Sequence, residues 1–320
     1  MESLCLTHYK SCRLCPRNCG VNRLAGETGF CGETSELRIA AAVIHKGEEP
    51  PLVGTGGSGT IFVSGCNLGC AFCQNYQISQ GEEANGIKSL GRTVSVQEFT
   101  EICAALCEKG AENINIVTGS HAAPELIEGF TAMRKAGVQL PILWNSSGYD
   151  GMESLEMLKE YVDIYLPDLK TLDSEISAKF FNAPDYPDVA TAAILKMIES
   201  AGKKHPKNTR EKIIIRHLIL PGYLESTRSV LCWFADNVRE RAMLSLMTQY
   251  TPIPDRRRQM PQRYLSAEEY KTVIKWLDEY KIEDGFCQEL VTGSDWLPDF
   301  RRHNPFSSEL SVPICLPAKL

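Results

Sequence analysis

The sequence predicts an α/β fold, a parallel sheet curled into a full or partial (β/α) barrel. Short apolar runs alternate with longer amphipathic stretches between residues 60 and 280. Strand followed by helix at this spacing means βα units, and right-handed crossovers then curl the sheet. Gly137 and Gly202 stand where two amphipathic stretches stop, the place glycine favours just past a helix. With 320 residues, 43% of them hydrophobic, the chain can bury one large core and carry appendages.

Residues 1–55 are rich in Cys, Gly, Arg and Asn and read as a Cys-rich N-terminal extension; 56–283 read as the barrel. A Gly-rich stretch ends at Gly59, and the apolar run Thr60-Ile61-Phe62-Val63 is the first buried strand. Residues 96–109 form a helix with Phe99, Ile102, Cys103 and Leu106 on one face. Then come a strand at 113–117, a helix at 124–136, a strand at 142–145, a helix at 152–160 and a strand at 162–166. A helix at 190–201, strands at 212–220 and 244–247, and a helix at 267–280 complete the series. Residues 284–320 have weak periodicity and read as an extended C-terminal wrap. Reacting groups belong at the C-terminal ends of the strands.

Charged residues make up 23% and the net charge is −6, which lacks the basic footprint of a non-specific nucleic-acid binder. Arg256, Arg257 and Arg258, with Arg263 nearby, read as a solvated loop or as a surface for an acidic partner. The N-terminus has no apolar signal region, and no apolar run approaches the roughly 20 residues that span a bilayer. A cytoplasmic protein with no membrane partner is expected. Thirteen cysteines are many for disulfides in that compartment. Their clustering points to metal ligation, while Cys5, Cys103, Cys107, Cys232, Cys287 and Cys315 are scattered thiols.

The loop after the first barrel strand reads Gly65-Cys66-Asn67-Leu68-Gly69-Cys70-Ala71-Phe72-Cys73, a C-x3-C-x2-C spacing. A short Gly-containing loop can bring three thiolates to three irons of a cubane and leave the fourth iron open. Zinc is the alternative, but structural zinc sites close with four ligands.

At this point the chain resembles the radical S-adenosylmethionine (SAM) superfamily. Within it, the chain is similar to the activating enzymes of glycyl-radical enzymes and to the related PflX-like proteins. The likeness runs through Cys12 to Cys19, Glu48-Glu49-Pro50, Gly57 to Phe62, the cysteine loop with Gln74-Asn75, Asn145 to Tyr149, Asp163 to Lys170 and Arg216 to Gly222. It implies a radical SAM barrel with a 4Fe–4S cluster on Cys66, Cys70 and Cys73 and SAM on the open iron. One electron, from flavodoxin or ferredoxin, cleaves SAM to methionine and a 5′-deoxyadenosyl radical, which takes hydrogen from a C–H bond. The substrate is a glycyl residue of a partner enzyme, another peptide or a small molecule.

The resemblance also implies roles by position. Phe72 contacts adenine or packs under the loop. The family's contact to SAM's amino group, often a Glu, is replaced here by Thr118, Ser120 and His121; His121 is equally readable as a core histidine. Asn145, Ser146, Asp168 and Lys170 hold SAM's ribose and carboxylate, with an acidic group that can share a monovalent cation. Lys170 is otherwise a structural partner of Asp168 or Asp163. One of Arg216 and His217 faces inward by strand alternation. Gln249 stands where a ribose-binding residue, usually His, is expected.

Cys12, Cys15, Cys19 and Cys31 are spaced C-x2-C-x3-C-x11-C. Four thiolates suit a second centre, zinc or iron–sulfur, and the spacing does not separate the two; free thiols are the third reading. A non-catalytic iron–sulfur carrier would have little use for an open iron or for Asp168 and Lys170.

Overall fold

The computed structural model describes residues 4–79, 89–253, 260–294 and 296–314. Arg256, Arg257, Arg258 and Cys315 lie outside the described residues. In chain order the elements are β1 (Arg38–His45), α1 (Pro50–Val53), β2 (Ser58–Val63), α2 (Tyr76–Ser79), β3 (Arg92–Thr93), α3 (Val96–Glu108) and β4 (Ile114–Val117). There follow α4 (Ala123–Lys135), β5 (Ile142–Ser146), α5 (Met152–Leu158), β6 (Ile164–Pro167), α6 (Ser174–Phe181) and α7 (Tyr186–Lys204). The chain continues with β7 (Ile214–Leu218), α8 (Leu224–Asn237), β8 (Met243–Met247), α9 (Ala267–Glu279), β9 (Gly285–Cys287) and β10 (Ser311–Pro313).

One sheet runs β10-β1-β2-β4-β5-β6, with β3 on β1; a second runs β7-β8-β9. Bridges Tyr165↔Ile213 and Asp168↔Arg216 join β6 to β7, so the two form one curled wall. From β2 through β4 to β9, each strand runs parallel to the next. β1 and β10 are antiparallel. This is the expected α/β partial barrel. Capping boxes start α3 (Ser95 with Glu98) and α9 (Ser266 with Glu269), each satisfying otherwise orphaned backbone N–H groups. The core lies between the outer helices and the sheet, around Phe99, Phe130, Trp144 and Phe234.

Several elements differ from the sequence reading. β1 lies within residues 1–55 yet belongs to the main sheet, and seven of its eight residues are buried. A strand buried on both faces shows no alternation, and its Ala run has low strand propensity. α6 and α8 were not foreseen. α7 begins at Tyr186 and runs to Lys204, so Gly202 lies inside it and does not end it. Gly137 does follow α4, with φ of 93°. The C-terminal segment is pinned at two places: β9 pairs with β8, and β10 pairs with β1. It therefore crosses from one edge of the curled wall to the other.

The short helix α1 blocks the end of the barrel where the parallel strands begin. Its Leu52 packs against Leu143 of β5, Leu166 of β6 and Ile214 of β7. Asn113 donates to the Leu52 carbonyl at 2.7 Å and fixes the plug to the start of β4.

Candidate active site

The concave side of the wall encloses a cavity of about 710 Å³. Cys66, Cys70 and Cys73 all face it, from the loop that follows β2. The loop's shape is set locally. Gly65 has φ of 82°, and a Cβ there would lie 2.4 Å from Glu33 Cγ and 2.9 Å from the Cys31 carbonyl. Only glycine fits such an approach. The Leu68 N–H points at Cys66 Sγ at 3.3 Å, and the Ala71 N–H donates to the Phe180 carbonyl at 2.8 Å. Phe72 is buried on the cavity wall and meets Phe181 edge-on, with centroids 5.7 Å apart. Adenine contact and packing are thus both open to it.

The far rim comes from the ends of the next strands. Asn145 and Ser146 end β5, Asp168 follows β6, and all three line the cavity with Lys170 and Gln249. Lys170 Nζ lies 2.5 Å from Asp168 Oδ2. Burial works against the ammonium, but Asp168 and the Cys70 thiol outweigh it and hold Lys170 above the usual lysine range. Asp163 is not its partner; that carboxylate pairs with Lys204 at 2.9 Å. Gln249 accepts from Gln288 at 3.0 Å, and its carbonyl accepts from Gln74 at 2.7 Å, which ties the rim to the cysteine loop.

Ser120 and His121 do not line this cavity. The Ser120 hydroxyl donates to buried Asp150 at 2.6 Å, and Ser146 donates to the other oxygen of the same carboxylate at 2.6 Å. His121 Nε2 lies 2.7 Å from the Ser64 carbonyl. Burial, with Arg23 nearby, lowers its pKa to about 3, so the ring is neutral and structural. Thr118 does face the cavity, at φ of 63°. A β-branched residue held in the left-handed region is strained, and such strain concentrates at functional sites.

Arg216 is the inward member of its pair. Its Nε donates to Glu49 at 2.7 Å, its Nη2 to Glu49 at 2.5 Å, and it also bonds Glu48. Asn115 adds a bond to Glu48 at 3.0 Å. Burial disfavours the guanidinium, but the two carboxylates hold its pKa above the usual range. His217 faces away from the cavity, between the Leu169 carbonyl at 2.7 Å and Thr227 Oγ1 at 2.9 Å. Burial lowers its pKa to about 4. Sequence reasoning gave Glu48 and Glu49 no role. Two adjacent carboxylates before a helix-opening proline were the available signal. Trp296 and Phe306 of the C-terminal segment also line the cavity and were not anticipated.

Cys12, Cys15, Cys19 and Cys31 line a second, much smaller cavity with Arg23 and His121. Among the described residues, no three His, Cys, Asp or Glu side chains close around a single metal ion, and this holds for both cysteine sets. The main site's donor set fits a cluster nevertheless. Three thiols on one tight loop share a cavity wall, and thiolates bound to separate irons of a cubane stand farther apart than thiolates on one ion.

A partial barrel with a three-cysteine loop at the mouth and polar groups at its strand ends defines an enzyme of SAM-dependent radical type. The chain belongs to the radical SAM superfamily, whose sequence profile matches residues 60–231. Family membership implies a 4Fe–4S cluster and SAM as cofactors. An uncharacterized protein of Methanocaldococcus jannaschii is 29% identical over 277 residues, covering 86% of this chain and 76% of that one. A pyruvate formate-lyase-activating enzyme of Listeria monocytogenes is 28% identical over 171 residues. That match covers 50% of this chain and 61% of the relative's length. Among solved structures, methylornithine synthase matches with a TM-score of 0.44 at 19% identity, covering 67% of this chain and 60% of that one. No helix among the described residues is long and apolar enough to cross a membrane.

Proposed function

We propose that this chain cleaves SAM reductively at Cys66, Cys70 and Cys73 and uses the product to take hydrogen from a substrate C–H. One observation carries the reading: these cysteines share a single cavity with Phe72, Asn145, Ser146, Asp168, Lys170 and Gln249. A cluster and SAM held there supply a one-electron cleavage of the sulfonium and a carbon radical. The residues do the rest. Lys170 offers a positive charge to SAM's carboxylate, and Asp168 fixes that ammonium in place. Asp150 holds Ser146 in one rotamer from behind. Asn145 and Gln249 offer amides to the ribose, and Phe72 offers a ring to adenine. A monovalent cation, if bound, shares Asp168 with Lys170.

The cavity extends from the cysteine loop to Glu48, Glu49 and Arg216, with Trp296 and Phe306 along its side. That shape favours a small molecule or short peptide. Activation of a glycyl residue in a partner enzyme is the second reading, supported by the likeness to the Listeria activating enzyme. Flavodoxin or ferredoxin is the electron donor in either case. Residues 56–283 act as the barrel, β9 adds a strand to its wall, and the described part of the segment after β9 acts as a cover, with the N-terminal quartet a second centre of zinc or iron–sulfur type. Anaerobically reconstituted protein given dithionite and SAM should form 5′-deoxyadenosine and methionine, and Cys70→Ala should not. Equal product from the variant would refute the cluster assignment.

A further inference from the structure

We propose that Arg17 is a positioning residue for the SAM-site cluster: it turns one peptide of the cysteine loop so that the peptide N–H bonds the Cys66 sulfur, and so makes the cluster easier to reduce. The proposal rests on the cluster reading above and deepens it.

Arg17 belongs to the N-terminal segment, yet its guanidinium reaches the loop between Cys66 and Cys70. Its Nε donates to the Asn67 carbonyl at 2.9 Å, and its Nη2 donates to the Leu68 carbonyl at 3.2 Å. The same fork grips the end of α6. Nη2 donates to the Phe181 carbonyl at 2.9 Å, and Nη1 donates to the Asn182 carbonyl. Carbonyls at the end of a helix have no partner within it, and they carry its negative pole. All four acceptors are backbone carbonyls and none is a carboxylate. The guanidinium carbon lies 3.8 Å from the centre of the Phe30 ring and 5.2 Å from that of Tyr149. Those aromatic faces help to hold the cation in place.

The consequence lies in one peptide plane. The Asn67 carbonyl and the Leu68 N–H belong to the same trans peptide unit and point in opposite directions. With the carbonyl fixed on Arg17, the N–H is aimed the other way, and the Leu68 nitrogen lies 3.3 Å from Cys66 Sγ. A hydrogen bond to the carbonyl also polarises the peptide and strengthens its N–H as a donor. Hydrogen bonds to the ligating sulfurs and the net charge around a cluster set its reduction potential. Reduction adds one electron, with no bond made or broken. A donor on Cys66 Sγ and a cation behind it both stabilise the added negative charge, so both raise the potential. The end of α6 already supports the second half of the loop. The Phe180 carbonyl accepts from the Ala71 N–H at 2.8 Å, and Phe181 meets Phe72 edge-on. Arg17 ties the first half of the loop to that same support.

The test uses the full chain, loaded anaerobically with iron(II) and sulfide, in a redox titration followed by electron paramagnetic resonance. The signal to follow is the one that changes when SAM is added, which marks the cluster on Cys66, Cys70 and Cys73. Arg17→Met should keep that signal and lower its midpoint potential by about 59 mV, a tenfold loss in the equilibrium constant for one-electron reduction. Arg17→Lys keeps the charge and loses the planar fork. Its potential should still fall, by about 28 mV, a threefold change in the same constant. Electron–nuclear double resonance before and after transfer to D2O should show an exchangeable proton coupled to the wild-type cluster, and both variants should weaken that coupling. A wild-type potential in loaded Arg17→Met overturns the proposal. Should Arg17→Met fail to fold or load, Arg17→Lys decides: a wild-type potential with unchanged proton coupling there overturns the orienting role. A wild type without any SAM-responsive signal would instead refute the cluster reading on which the proposal stands.

Discussion

The mouth and the floor of the barrel cavity use the same residue types in opposite ways. At the mouth, Asp168 and Lys170 form a lone pair, and among the described residues Lys170 Nζ is bonded to Asp168 alone. Two of its three N–H donors remain for a ligand. At the floor, Arg216 is shared between Glu48 and Glu49, and Asn115 takes up a further Glu48 oxygen. There the charges satisfy one another. The mouth leaves hydrogen-bonding capacity open to the cavity, and the floor ties the start of α1 to β7. An ion pair therefore announces its role by how many of its hydrogen-bonding groups its neighbours leave free.

The largest effect should come from breaking the floor. Arg216→Met strands two buried carboxylates and should cost about 3–5 kcal/mol in a denaturant titration. Adding Glu48→Gln and Glu49→Gln should recover most of that loss. If Arg216→Met is no less stable than wild type, the floor is not a structural cluster.

Acid should act next on the outer side of β7, behind the floor. His217, adjacent to Arg216, has its folded pKa lowered to about 4 by burial. The unfolded chain, with an ordinary histidine pKa near 6.5, binds the proton more readily. Stability is therefore full above about pH 6.5 and falls toward pH 4, by about 1.4 kcal/mol per pH unit from this residue. The difference in unfolding free energy between wild type and His217→Gln, followed from pH 7 to pH 5, should shrink with this slope. A pH-independent difference would show that the ring is not held neutral.

At the mouth the signature should invert. Lys170→Ala should leave iron content unchanged and weaken SAM binding roughly tenfold, about 1.4 kcal/mol. Equilibrium dialysis on the iron-loaded protein measures it, and an unchanged affinity would make Lys170 a structural partner of Asp168 only. The smallest effect is expected from Trp296→Ala on the side of the cavity. It should alter stability by less than about 1 kcal/mol yet change how fast SAM is cleaved without substrate, since it opens the cavity to water.

The same contrast explains what could be read in advance. The mouth lies at the ends of strands that follow a regular βα rhythm, so Asn145, Ser146, Asp168 and Lys170 could be found by position. Ser120 and His121 turn away from the cavity after Thr118, to Asp150 and the Ser64 carbonyl, and for His121 this is the core position the sequence also allowed. The floor depends on β1, which is antiparallel, Ala-rich and buried on both faces, and so has neither the rhythm nor the alternation that marks a strand. Arg216 and His217 could not be told apart without the register Arg216↔Ser245 and Asp168↔Arg216. The tail's pairing is carried by three-residue strands at each end, too short to show a period.

That pairing also bears on how the protein is put together during synthesis. The outer edge of β1 meets Ser311–Pro313, which leave the ribosome long after Arg38–His45. Chains emerge at about 5–20 residues per second, so for many seconds the outer edge of β1 is without its native partner β10. The edge of a strand made early is thus filled only by one made much later, and until then its N–H and C=O groups are open to another chain.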